Sequence, residues 1–305
     1  GVQNLLDAAG LDREDYFVCK HRADTLHRQL PGERRVLDDK LLQADLIIGA
    51  GTPFLWNLGA GDHRCSSIYW IKPLWKDRIR KVCRAVPVLN LGIGAVQALN
   101  APEAILSEDP ECRAFLLWAL SVCRLTTVRD PFAQRVYRAM GQDVPLLPCP
   151  AFLSARDYPP PPDRHDPIVL NYMEGGGHFR IDDRLDPERW RATFEAVVKN
   201  LRARGESVIF TAHSAQEAHW AERWASDDEI VLLKTPGQAL AVYGQARAGL
   251  VNRVHAAIPL AGMGRQVILV GADTRLWAAE VCGAVIRTEW DADAGASPFT
   301  RCTSR

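Results

Sequence analysis

From residue 168 onward, short apolar runs alternate with amphipathic stretches at a nearly constant pitch, and this alternation constrains the fold more than any other feature. The expected strands cover 168–173, 207–211, 230–233, 249–251 and 266–270, with a last one near Val285. Between them fall expected helices over 186–204, 215–225, 238–246, 256–263 and 274–281. In the first of these Trp190, Phe194, Val197, Val198 and Leu201 recur at helical spacing, and Gly205 marks the stop. Strands joined by helices of this length make right-handed crossovers, so the expected product is a parallel sheet.

The first half repeats the theme less regularly. Residues 45–49, 87–92, 125–128 and 144–147 read as strands, and 111–123 and 131–140 as helices, the second stopped by Gly141. The segment 52–81, which carries Trp56, Trp70 and Trp75, fits no clean strand–helix unit. Between the halves runs Tyr158-Pro159-Pro160-Pro161-Pro162-Asp163, where successive prolines exclude both helix and ladder pairing. A chain of 305 residues is long enough for two ordinary cores. The expected organisation is an N-terminal domain over 1–153, a proline-rich linker over 154–167 and a C-terminal domain over 168–305.

The 37 basic and 37 acidic side chains balance, so the molecule offers no large field for a polyanion, and nucleic acid is not an expected partner. The eight cysteines form no Cys-x-x-Cys pair and no alternating Cys/His spacing, which argues against a zinc site and a disulfide framework. Most are expected to be reduced core residues, Cys149 among them, and no metal is expected. No apolar run has the length of a membrane span, and the first thirty residues lack a signal-peptide core. The expected location is cytoplasmic, with any membrane contact peripheral only.

Three stretches narrow the function. The first is Asp45-Leu46-Ile47-Ile48-Gly49-Ala50-Gly51-Thr52, a buried strand running into a glycine turn. The second is Leu125-Thr126-Thr127-Val128-Arg129-Asp130-Pro131-Phe132, then a helix, Gly141 and Leu147-Pro148-Cys149-Pro150-Ala151-Phe152. The third is Asn252-Arg253-Val254-His255-Ala256-Ala257-Ile258, then Gly264, a strand and Asp273-Thr274-Arg275. In this order they resemble the polysaccharide pyruvyl transferase family. Cys149 stands where many relatives have Asp, and Arg275 where Lys is common. The family's Gly-Asn-x-Gly-Asp element near the N-terminus is not visible here: part of that loop is missing, displaced or replaced by Gly59-Ala60-Gly61-Asp62.

The resemblance implies an α/β fold of two Rossmann-like domains facing across a cleft, of the B-type glycosyltransferase kind, with the acceptor on the N-terminal side and the donor on the C-terminal side. It implies transfer of a pyruvyl group from phosphoenolpyruvate to the hydroxyls of a saccharide or lipid-linked saccharide, forming a ketal without a cofactor. Two other readings stay open at this level: a nucleotide-sugar glycosyltransferase, and a non-catalytic member that binds a carbohydrate or a protein.

Pyruvyl transfer needs a cationic cradle for phosphate and carboxylate and an acid for the enol methylene. Arg129 ends a predicted strand, where ligands of open α/β sheets bind, and a guanidinium can hold either anion bidentately. Its alternative is an ion pair with Asp130 that fixes the turn. His255, at a strand-to-helix turn, is the candidate general acid. Arg253 beside it is an anion contact or, more in keeping with its position, a structural clamp. Arg275 follows another strand end and would act by charge alone. Glu174-Gly175-Gly176-Gly177-His178 reads as a flexible loop whose amides suit an anion. His213 is a second-rank candidate, and Gly51 permits close approach of a ligand.

Overall fold

The computed structural model describes residues 6, 8–11, 43–50, 53–57, 75–76, 78–156, 167–176 and 186–288. Two site candidates, Gly51 and Gly177, lie outside them, as do Trp70 and the proline run. The chain divides into two compact units, Gly1–Ala151 and Phe152–Arg305, and the division falls inside the 3-10 helix Pro150–Arg156.

The first unit is built on a parallel sheet around β3 (Val88–Val96). β1 (Ile47–Ala50) pairs with the first part of β3, and β2 (Pro53–Trp56) with its last part. β4 (Cys123–Val128) also pairs with β3, and its Val128 bridges Leu146. The strand expected over 144–147 is therefore a single bridge. Pro148 has no N–H to extend the ladder, so pairing stops after Leu147 N donates to Val128 O at 2.8 Å.

Helices α1 (Arg80–Val82), α2 (Ala104–Ser107), α3 (Pro110–Val122) and α4 (Pro131–Ala139) complete the unit. α3 passes into β4 without a loop, because Cys123 turns extended directly after Val122. Phe54, Trp75 and Phe115 pack edge-on and stacked at ring separations of 4.9 and 5.3 Å, so two of the aromatics of the irregular segment are core.

The second unit is a six-stranded parallel sheet in the order β10-β9-β8-β5-β6-β7. Its strands are β5 (Ile168–Leu170), β6 (Val208–Ala212), β7 (Ile230–Leu232), β8 (Ala248–Val251), β9 (Gln266–Val270) and β10 (Val285–Arg287). The helices between them are α5 (Pro187–Ala203), α6 (Ala215–Ala221), α7 (Pro236–Gln245), α8 (Val254–Gly262) and α9 (Leu276–Val281). The first strand lies between the second and the fourth, the Rossmann-like doubly wound order, with a topological switch point between β5 and β8. The sheet packs on Trp190, Phe194, Val197, Val198 and Leu201, the stripe read from the sequence.

Four helices of the two units open in the same way. Asp109, Asp130, Asp186 and Thr235 each accept backbone N–H bonds as N-cap, and each is followed by a proline at the first helical position. That proline lacks only an N–H the helix would leave unbonded. Among the cysteines, Cys83, Cys123, Cys149 and Cys282 are free, in line with a reduced interior. Cys112 is disulfide-bonded and departs from that expectation, since spacing along the chain carries no signal of a distant pairing.

Candidate active site

Arg129 leaves the C-terminal end of β4 and is only 5% exposed. Its backbone N–H donates to Ile93 O at 2.9 Å, and its Nη1 donates to Cys149 Sγ at 3.6 Å. Beside it Asp130 is wholly buried, but its carboxylate is directed to the backbone: Oδ1 accepts from Ala133 N at 2.8 Å and Oδ2 from Ala95 N at 2.9 Å. One side chain thus caps α4 and ties the end of β3 to the end of β4. Burial pushes the Asp130 carboxyl up to about 6, against the two amides and the Arg129 charge, which pull it down.

The space for this pair comes from Gly94. A Cβ there would lie 2.6 Å from Arg129 Nε and 2.7 Å from Asp130 Oδ2. Two residues earlier Gly92 takes a φ of +62°, with Pro150 packed where a side chain would start. The Leu91-Gly92-Ile93-Gly94 stretch therefore shapes the Arg129 surroundings. A glycine inside a buried strand is the usual sign of such close approach.

In the second unit the candidates gather on the C-terminal edge of the sheet. Asn171 directly follows β5 and Asn252 directly follows β8, flanking the switch point, and both are buried. The Asn171 side chain donates to Thr211 O at 2.9 Å and to Glu217 Oε2 at 3.0 Å. The Asn252 side chain accepts from Met173 N at 3.0 Å and donates to Gly176 O at 3.0 Å and Val270 O at 2.9 Å. Two amides thereby bind together the ends of β5, β6, β8 and β9. β5 ends at Leu170, short of the 168–173 expected: Asn171 N still donates to Leu250 O at 3.0 Å, but Met173 N turns to the Asn252 side chain.

Glu217 is the centre of this edge and was not among the sequence candidates. It is 2% exposed, sits in the first turn of α6, and accepts from Asn171, from His213 N at 3.1 Å, from Ser214 Oγ at 3.3 Å and from Arg253. Burial alone would push its carboxyl up. The His213 hydrogen bond and the Arg253 guanidinium overcome that, and hold it well below the usual carboxylate range. Its signal in the sequence is Ser214-Ala215-Gln216-Glu217, the capping-box spacing at the start of a helix. His213 reaches Tyr243 Oη through Nε2 at 3.1 Å, so both His213 and Arg253 belong to a buried internal network. Arg253 is paired with Glu217.

His255 differs from these neighbours. It lies on the first turn of α8, which begins at Val254 rather than at 256, and it is exposed. Arg275, at the end of β9 and before α9, donates through Nε and Nη2 to Asp273 at 2.8 and 2.5 Å. Its guanidinium is oriented by that carboxylate. Gly176 is buried with φ of +68°, and its N–H donates to Met173 O at 2.8 Å in a turn. That amide is engaged, contrary to an open anion loop at this position, and Gly175 is half-buried. Glu174 at the head of the loop pairs with Arg223 at 2.8 Å.

An open concavity of about 570 Å³ lies elsewhere, along α5 and the end of α6, lined by Arg191, Lys199, Arg202, Arg223 and Trp224. Its cations are matched by Glu174, Glu195 and Glu229, so it carries little charge to attract an anion.

A family model described as polysaccharide pyruvyl transferase matches residues 1–274. The chain belongs to that family. No curated protein matches it. Among solved structures, this pyruvyl transferase family member is similar to the Staphylococcus aureus MnaA–UDP co-structure, at 11% identity and a TM-score of 0.46 over 77% of this chain and 60% of that one. It is also similar to the Methanocaldococcus jannaschii UDP-GlcNAc 2-epimerase in complex with UDP-GlcNAc and UDP, at 12% identity and 0.44 over 76% and 72%. A third likeness is to Acinetobacter baumannii MurG, at 12% identity and 0.42 over 84% and 64%. The chain thus spans less than two thirds of the length of the MnaA and MurG chains.

Proposed function

We propose that this family member transfers a pyruvyl group from phosphoenolpyruvate to two hydroxyls of a saccharide or lipid-linked saccharide in the cytoplasm, forming a cyclic ketal. His255 gives a proton to the methylene carbon of the enol, and the positive charge that develops at the adjacent carbon is shared with the ester oxygen. A sugar hydroxyl adds to that carbon and loses its proton. The bond to the phosphate oxygen then breaks, inorganic phosphate leaves, and a second hydroxyl closes the ring. On the second unit Arg275, oriented by Asp273, holds the anionic groups of the donor, and on the first unit Arg129 offers a cation to an anionic group.

The observation that supports this most is the position of His255, exposed on the first turn of α8, the helix that follows β8 on the C-terminal edge of the second sheet. An imidazole there is accessible to a small donor.

The test is a melting-temperature and calorimetric screen with phosphoenolpyruvate, inorganic phosphate and UDP-glucose. Stabilisation by phosphoenolpyruvate is expected. Stabilisation by UDP-glucose alone would favour a glycosyltransferase, and response to none of the three would point to a non-catalytic binder.

A further inference from the structure

Although the whole chain is electrically balanced, residues 75–84 hold five bases (Lys76, Arg78, Arg80, Lys81 and Arg84) against one acid, Asp77. The apolar members of the stretch turn inward, since Trp75, Ile79 and Val82 are buried. Arg80, Lys81 and Arg84 are exposed. The segment is therefore amphipathic, with a cationic outer face.

The fold adds to this face. The register aligns Ile47 of β1 and Cys123 of β4 with Val88 of β3, so the three strands start together at one end of the sheet. α1 leads into that same end. Arg124 is exposed there beside Leu125, which is 45% exposed, and Leu46 just before β1 is 42% exposed. Arg80 lies over the ring of half-buried Trp118 at 5.5 Å. Acids are few: Glu111 pairs with Lys76 at 3.1 Å, and Asp45 is exposed near Leu46. Among the described residues Arg80, Lys81, Arg84 and Arg124 have no ion-pair partner.

We propose that this end of the first unit is a docking surface for an anionic phospholipid bilayer. Clustered bases on an amphipathic segment are attracted to acidic headgroups, each contributing separately, and exposed leucines among them can enter the headgroup boundary. The leucines decide between polyanions, because a nucleic acid or a soluble acidic polysaccharide gains nothing from aliphatic side chains beside the charges. The surface lies at the strand starts, opposite the strand end that carries Arg129, so a docked molecule keeps that end uncovered. This inference concerns binding alone and does not depend on the proposed reaction.

The experiment is flotation of the intact chain with vesicles of equal parts phosphatidylglycerol and phosphatidylcholine, compared with phosphatidylcholine alone. Binding is expected to the acidic vesicles only, and to weaken as salt is raised. Each cation lost should weaken partitioning about fivefold. Lys81→Gln with Arg84→Gln should therefore reduce it by roughly 25-fold, and adding Arg124→Gln should reduce it further. Leu46→Ser with Leu125→Ser should reduce it with charge unchanged, and an unaltered melting temperature will show that each variant is folded. Equal binding by wild type and the charge variants would overturn the proposal. So would absence of vesicle binding by the folded wild type, or retention on immobilised heparin without vesicle binding.

Discussion

An alanine at position 94 would bring its Cβ within 2.6 Å of Arg129 Nε and 2.7 Å of Asp130 Oδ2, atoms that are buried and have little room to retreat. Gly94→Ala is expected to cost about 1–3 kcal/mol in urea denaturation. If Arg129 holds the donor, it should also weaken phosphoenolpyruvate affinity roughly tenfold or more by calorimetry. His255→Ala should leave the melting temperature near that of wild type and lower turnover by about 10²–10⁴-fold, the usual contribution of a general acid. Asp130 makes a prediction of its own. Its folded-state pKa, about 6, lies above the ordinary value, so its contribution to stability is present at about pH 4 and is lost as pH rises through 6. The stability of wild type relative to Asp130→Asn should therefore fall by about 3 kcal/mol across that window, and a constant difference would contradict the assignment. That Arg129 follows a strand and that His255 lies at the opening of a helix was legible from the sequence. Gly94 was not, since its role depends on a side chain 35 positions away.

Glu217 joins elements that are remote in sequence: it sits in α6, receives Asn171 from the end of β5, and holds Arg253 at the entry to α8. Its sign is opposite to that of Asp130. A depressed folded-state pKa stabilises the protein above the unfolded value of about 4.3, and that contribution fades as pH falls below it. Glu217→Gln is expected to cost about 3–5 kcal/mol at neutral pH, because it removes the carboxylate charge that faces Arg253 in a largely buried place. The cost should narrow below about pH 4, and a penalty that persisted unchanged in acid would mean that shape rather than charge is what Glu217 supplies. The helix–strand alternation of the second unit was readable because its apolar period is clean. The end of β5 was misplaced by three residues because Asn171, Tyr172 and Met173 are as buried as a strand, while Met173 N bonds to the Asn252 side chain. Ser214-x-x-Glu217 carries the spacing of a capping box, yet period and spacing could not reveal that the same carboxylate meets an arginine 36 residues later.

At the scale of the whole chain, equal numbers of acids and bases conceal an uneven distribution, and the basic face of the first unit emerges only when the starts of β1, β3 and β4 are brought together. Composition excluded a uniform field correctly but could not see a local one. The parallel sheet of the second unit was expected from right-handed crossovers and its Rossmann-like character from the family resemblance, whereas the pairing of β3 with both β1 and β2 had no signal in periodicity. The Asn252 side chain, bonded at once to Met173 N, Gly176 O and Val270 O, also has a consequence for dynamics. Loop amides normally exchange with solvent deuterium by private fluctuations, but those of Met173 and Asn252 are bonded to buried asparagine side chains and should exchange as slowly as the strands beside them. Asn252→Ala should release Met173 and the Gly176 turn together, so that a stretch with the sequence of a flexible loop reports the opening of a sheet.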